Sequence, residues 1–331
     1  MSLRSLDSTD GLSGFPTAKH PRIQANSRGV SGSAQLSVGN TNASSPIQHL
    51  TNDPHSSLVK QQSRASITNI AQDFMFRKDR LYKSVRHKLL TCHFSSDGKL
   101  LACAGTKGMV LLWDVPSRKP LPTTLEQPHI ITDIRFQPNS TFFAAACFDK
   151  IYFCDSTNVS KAPVILKGHT WPVKSIDFSP KDPHILCSCD SQGEILIWDV
   201  NTCHTIFKLK GHGQDINSIC WDPSHTRLAS VSHESARVWA STFDGWKCVY
   251  SLPSDGHVYK SCLFHPLHPQ LLIIGTYQYI QLWDISNGKK SKLFQSGCTG
   301  FVSALTCFTE SGLVASTSRD SQAQLWTHLP K

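Results

Sequence analysis

The stretch GHTWPVKSIDFSPKDPHILCSCDSQGEILIWDVNTCHTIFKLKGH, residues 168–212, decides the fold. Within it Val173–Phe178 alternates apolar and polar residues, and Ser179–Pro180–Lys181–Asp182–Pro183 then turns the chain. His184–Cys189 reads as a second strand, Ser191–Gln192–Gly193 turns again, Glu194–Trp198 forms a third strand, and Thr205–Leu209 a fourth before Gly211–His212. Alternation of period two, broken by turn formers every eight to twelve residues, is the pattern of an all-β unit. Helix fits poorly, because β-branched and aromatic residues dominate and the turns recur too often.

Working outward, the same phrase recurs. Its endings are Leu112–Trp113–Asp114, Phe153–Cys154–Asp155, Ile197–Trp198–Asp199, Val238–Trp239–Ala240, Leu282–Trp283–Asp284 and Leu325–Trp326–Thr327, with Cys154 in the Trp place of the second. The spacings of 41, 44, 41, 44 and 43 residues are those of a WD-type propeller blade, four strands per repeat. The sequence therefore predicts an all-β WD-repeat β-propeller of six detected blades, with seven possible, over residues 74–331. Only five residues follow Trp326, too few for a fourth strand, so the last blade needs a strand from elsewhere. The segment Asp79–His87 alternates and is rich in Lys and Arg, as a charged edge strand is. It is the expected closing strand, and a nuclear-import signal is the alternative reading.

A WD blade is locked by a hydrogen-bonded chain of His, Ser/Thr, Asp and Trp, because a buried indole N–H needs an acceptor. Read along the repeats, the third has His169 and Trp198 with Asp190 in the Ser place and Gln192 in the Asp place. The fourth has His212, Ser232 and Trp239 with Glu234 in the Asp place, and the first has Lys107 there. The sixth has Ser318, Asp320 and Trp326 with Cys298 for His. On this reading these residues are structural and the network is eroded. None of the histidines reads as catalytic.

The remainder of the chain differs in kind. Residues 1–73 hold fourteen Ser and a single aromatic, Phe15, too little apolar surface to offset ordering, which predicts a disordered tail. Residues 1–88 carry a net charge of +7 and residues 89–331 only +2. A near-neutral propeller lacks the phosphate-neutralising charge of a nucleic-acid reader, so no direct sequence-specific nucleic-acid binding is expected. Twelve cysteines lie within residues 92–307, mostly in apolar runs and without a CxxC pair; they read as core residues of a protein in a reducing compartment. No signal peptide and no membrane-spanning run is apparent. Walker, HExxH and GxSxG motifs are absent, and Cys187 with Cys189 lacks a converging His pair. The expectation is a non-enzyme with no cofactor and no metal.

Several strings are more specific than the repeat itself: CHFSSDGKLLACAG (92–105), ITDIRFQP (131–138), INSICWDPS (216–224), LASVS (228–232), SCLFHP (261–266), LLIIGTYQYIQLW (271–283) and GLVASTSRD (312–320). They resemble the C-terminal propeller of the plant transcriptional corepressor LEUNIG family over residues 74–331. The resemblance implies a nuclear adaptor without DNA-binding activity of its own, brought to promoters by transcription factors and recruiting corepressor or histone deacetylase complexes. It departs in two ways: residues 1–73 have no counterpart of the family's N-terminal dimerisation domain, and six repeats are found where the family carries seven.

In a propeller the loop leading into the first strand and the turn between the second and third strands emerge on one face, a common docking surface. The lead-in positions are Lys88, Ile130, Trp171, Asp215, Val258 and Phe301, with Thr132, Lys174, Asn217 and Lys260 slightly further in. Phe148, His233 and Arg319 occupy turns. Trp171 stands out, since Trp and Arg dominate interface hot spots. The function expected is a protein-interaction scaffold of corepressor type, monomeric and nuclear. The alternative is a WD-repeat substrate receptor or other cytoplasmic scaffold, although WDVP, WDVN and WDIS lack the Trp-Asp-x-Arg ending common among ubiquitin-ligase receptors.

Overall fold

The computed structural model describes residues 88–331 except 123–124, 159–160, 309–311, 319–322 and 327–331. The expected tail and the Asp79–His87 closing strand lie outside the described residues.

Each repeat folds into an antiparallel sheet whose strands follow chain order. Blade 1 is β1 (Leu89–Phe94), β2 (Leu100–Gly105), β3 (Val110–Asp114) and β4 (Lys119–Pro120); blade 2 is β5 (Ile131–Phe136), β6 (Phe142–Cys147), β7 (Lys150–Asp155) and β8 (Val164–Lys167). Blade 3 is β9 (Val173–Phe178), β10 (Ile185–Asp190), β11 (Glu194–Asp199) and β12 (His204–Lys210). Blade 4 is β13 (Ile216–Trp221), β14 (Arg227–Ser232), β15 (Ser235–Thr242) and β16 (Gly245–Pro253). Blade 5 is β17 (Ser261–Phe264), β18 (Leu271–Gly275), β19 (Tyr279–Asp284) and β20 (Lys289–Gln295); blade 6 has three described strands, β21 (Val302–Phe308), β22 (Leu313–Ser318) and β23 (Ala323–Trp326). This is a six-bladed β-propeller, as the repeat period predicts.

The second strand of blades 1 to 5 is rich in apolar residues, as in Leu100–Gly105 (LLACAG) and Phe142–Cys147 (FFAAAC), and is buried on both faces. A strand covered on both sides reads as a continuous apolar run, and here it fills the middle of a stack of sheets. The outermost strands β12 and β16 are mostly exposed and polar-alternating, as solvent-facing edges are.

The apolar core is divided among the joints between neighbouring sheets. One cluster joins blades 1 and 2 through Ala102, Ala104, Val110 and Leu112 against Ile131, Ile134 and Phe136. Equivalent clusters join blades 2 and 3, 3 and 4, 4 and 5, and 5 and 6. Innermost strands pack in the same succession, β1 on β5, β5 on β9, β9 on β13, β13 on β17 and β17 on β21. Among the described residues no such cluster joins blade 6 to blade 1.

Polar groups reinforce the joints. Asp133 on β5 accepts from Thr91 Oγ1 of β1 at 3.1 Å, and from Ser175 Oγ at 3.1 Å and Ile176 N at 3.0 Å on β9. One buried carboxylate thus ties three blades together. Arg135 Nη1 donates to the same Asp133 at 2.6 Å, and its Nε lies 3.9 Å from Asp177 Oδ1.

Candidate functional site

The locking network resolves residue by residue, and its register differs from the sequence reading. In blade 3, Trp198 Nε1 donates to Ser188 Oγ at 2.8 Å, Ser188 Oγ lies 2.7 Å from His169 Nε2, and His169 Nδ1 lies 2.9 Å from Asp190 Oδ2. The hydroxyl accepts from the indole, so its single proton goes to His169 Nε2, leaving Nδ1–H to donate to Asp190. Asp190 Oδ1 then accepts from the backbone N–H groups of Gln192 and Glu194. The Ser place is Ser188 and the Asp place is Asp190. The blade expected to be eroded carries the complete chain.

The same correction applies elsewhere. In blade 4, Trp239 Nε1 and His212 Nε2 meet Ser230 Oγ at 2.8 and 2.7 Å. Ser232 instead closes the next turn, accepting from Glu234 N and Ser235 N. In blade 6, Trp326 Nε1 donates to Ser316 Oγ at 2.8 Å, not to Ser318, and Asp320 lies outside the described residues. The pairing registers explain the slip: Leu186 faces Trp198, Leu228 faces Trp239 and Val314 faces Trp326, which puts the acceptor two residues later, at 188, 230 and 316. Residues two apart on a strand share a face, so sequence alone offered both. By the same register the Asp place of blade 1 is Gly105, not Lys107, since Leu101 faces Trp113. Blade 5 has Ile274 in the Ser place, and Trp283 Nε1 has no hydrogen-bond partner among the described residues.

Burial drives the imidazole of His212 down to about 3, desolvation being the main cause and the Arg237 charge adding to it. His169, Asp190 and Glu194 could each turn one ligand atom toward a common point, all within 4.8 Å of one another. Their atoms are committed elsewhere: both His169 nitrogens as above, and Glu194 Oε1 to Lys208 at 2.7 Å and Lys210 at 3.5 Å. The cluster is structural.

The lead-in loops and the turns between second and third strands do converge. Val173 N donates to Phe148 O at 2.7 Å, Gln278 N to Gly300 O and Val302 N to Thr276 O, stitching the lead-ins of blades 3 and 6 to the turns of the preceding blades. Phe148 is held at φ 54° and stacks on His129 with ring centroids 5.0 Å apart. Tyr277 meets Phe301 edge-on at 5.0 Å. Ile130, Phe148, Trp171 and Tyr277 are all exposed, Trp171 by 50 %.

The residues singled out from sequence fall into three groups. Lys174 and Asp215 come together as a half-exposed ion pair at 3.6 Å. Lys260 Nζ donates to Asn217 Oδ1 at 3.2 Å and His233 Nε2 at 3.0 Å, and lies over the Phe301 ring at 5.6 Å, so four of the positions form one cluster. Thr132 and Asn217 also spend hydrogen bonds between blades, on Val173 O at 2.7 Å and Tyr259 O at 2.8 Å. Lys88 is exposed and offers its carbonyl to Thr106 N, Val258 is half-buried, and Arg319 lies outside the described residues. Sequence reasoning missed His129 and Tyr277. Tyr277 occupies the same turn as Phe148 and His233 in its own repeat, and a scan of that position through every repeat finds it. Beside Trp171 a cleft of about 260 Å³ opens between Thr170, Gln192, Gly193 and His212.

Comparison with known proteins agrees with this architecture. The WD domain, G-beta repeat family matches residues 80–114, 161–199 and 203–240. The transcriptional corepressor LEUNIG_HOMOLOG of Arabidopsis thaliana is 33 % identical over 299 residues, covering 78 % of this chain and 38 % of that protein. A guanine nucleotide-binding protein subunit beta of Schizosaccharomyces pombe is 30 % identical, covering 45 % of this chain and 48 % of its own length. Protein hir-1 of Neurospora crassa is 28 % identical, covering 44 % of this chain and 17 % of its own length. The chain thus spans little more than a third of the corepressor it matches. Repeat period, blade order and family match coincide: the chain folds as a β-propeller, carries WD repeats at the matched residues, and is similar over most of its length to a LEUNIG-type transcriptional corepressor.

Proposed function

We propose that this chain is a non-enzymatic adaptor of corepressor type that works in the nucleus and holds partner proteins on the lead-in face of its propeller. The observation that carries this reading is the division of labour among side chains. His169, Asp190 and Glu194, which could together hold a metal ion, are committed to the blade-locking chain and to Lys208 and Lys210, whereas the lead-in face exposes Ile130, Phe148, Trp171 and Tyr277 beside Lys174 and Lys260. Such groups give a docking surface its anchors. The similarity to a transcriptional corepressor supports the nuclear assignment, with transcription factors and corepressor or histone deacetylase complexes as the partners that the resemblance implies.

Affinity capture from nuclear extract, with mass spectrometry of the retained proteins, tests the reading. Trp171→Ala combined with Lys174→Glu removes an exposed ring and breaks the pair with Asp215 without touching a buried residue. The expected outcome is a loss of corepressor-complex subunits from the captured set with an unchanged melting temperature. Recovery equal to that of the unaltered chain removes this face from the function.

A further inference from the structure

Blade 4 departs from its neighbours at the rim. In blades 1, 2, 3 and 5 the carboxylates of Asp114, Asp155, Asp199 and Asp284 tighten the turn after the third strand by accepting the backbone N–H groups of Ser117, Thr157, Asn201 and Ser286. Ala240 stands at that place in blade 4, and the ladder runs on through Ser241 with Trp246 and Thr242 with Gly245, where Gly245 takes φ 102°. The strand β16 therefore reaches nine residues, against two for β4, four for β8 and seven for β12 and β20. Among the described residues it pairs only with β15. Lysines guard such edges: β20 has three and β12 two, whereas the single Lys247 of β16 is held by Asp244 at 2.8 Å. Val249 and Tyr250 are exposed along the strand, and Phe243 at its turn is fully so.

Beside this edge lies a charge without a counter-ion. Leu111, Tyr152, Leu196 and Gln281 stand two residues before the Trp, or before Cys154 in its place, and Arg237 takes that position in blade 4. Its guanidinium reaches β16, with Nη1 4.0 Å from Cys248 Sγ, and rests against Gly211. Its Nε is buried without a hydrogen-bond partner, and among the described residues no carboxylate pairs with Arg237. A partly buried cation in this position gains from an anion brought to it.

From these two features we infer that blade 4 takes an extended segment of a partner protein as an added outermost strand on β16, with an acidic side chain of that segment on Arg237. The free backbone groups of the edge supply the ladder, as in strand addition to other sheet edges. The guanidinium sets the sign of the charge it accepts. A second copy of this chain does not fit, because Gly245–Pro253 contains no Asp or Glu and a two-fold junction would set one Arg237 against the other. The rim lies apart from the lead-in face, so this contact stands or falls separately from the docking surface proposed above.

The probe is a short fluorescent peptide alternating Val and Thr around a central Glu, titrated with the full chain by fluorescence anisotropy. Saturable binding is expected, about tenfold weaker when Lys replaces the central Glu, as the loss of one charge-assisted hydrogen bond requires. Binding should vanish when the amides of the peptide are N-methylated, which removes the ladder. Arg237→Gln should abolish the preference for Glu over Lys and Arg237→Lys should keep it, a ratio that a general loss of stability does not move. Trp171→Ala, on the other face, should leave binding of this probe unchanged. No saturable binding, a Glu preference that survives Arg237→Gln, or a loss on Trp171→Ala each overturns the proposal. So does a dimer in sedimentation velocity that Tyr250→Lys breaks, because the occupant of the edge is then a second copy.

Discussion

Ser230 and Ser232 are two residues apart, and both are buried, yet they do different work. Ser230 is the single acceptor for the Trp239 indole and the partner of His212. Ser230→Ala leaves two buried ring nitrogens unpaired and should destabilise the protein by about 2–4 kcal/mol. Ser232→Ala frees amides next to exposed Glu234, where water can replace the lost bonds, and should cost about 1 kcal/mol or less. Urea unfolding of the two variants side by side distinguishes them, and the order would reverse if Ser232 were the indole's acceptor. Only pairing across the sheet fixes which serine is which, because hydroxyls at both positions satisfy the same local pattern. The aromatic and histidine members were legible, since each is alone at its place in the repeat.

Acid is a second probe at this scale. His93 and His212 are both driven to about 3 by burial, with the Arg135 and Arg237 charges adding to the shift. An imidazole held below its unfolded value near 6.5 contributes stability above that value and loses it as pH falls toward 3. Asp177, raised to about 6 by burial, works in the opposite sense, since the folded form holds its proton more tightly between pH 4 and 6. Two imidazoles outweigh one carboxylate, so the urea midpoint should fall between pH 7 and pH 4.5. The fall should be smaller in His212→Asn.

At the scale of elements, the joints between blades depend on a few side chains of the innermost strands. Asp133 bonds to blade 1 and blade 3 while neutralising Arg135. Asp133→Ala should cost about 3 kcal/mol, because it takes the nearer of two carboxylates from the partly buried Arg135 and leaves the Ile176 amide without its acceptor. Asp133→Asn keeps an acceptor and should cost less; denaturant melts of both check this. Strand positions were legible from period-two alternation, and the third repeat folds within a residue of its reading. The duties of Thr132 and Asn217 were not, because a polar residue at a lead-in looks the same whether it faces a partner or the next blade's carbonyl.

For the whole molecule, the repeat count was legible and the uneven cover of the innermost aromatics was not. The sequences of β1 and β5 read alike, Leu89–Phe94 (LLTCHF) beside Ile131–Phe136 (ITDIRF), yet one aromatic is solvent-facing and the other buried. The difference lies in what stands next to the strand, which no local pattern encodes. A row of sheets in which each leans only on its neighbours behaves as a one-dimensional array. In such an array a sheet clamped on both sides resists opening more than one clamped on a single side. Among the described residues blades 1 and 6 each share an apolar cluster with one neighbour only, so fraying starts at those two sheets and works inward.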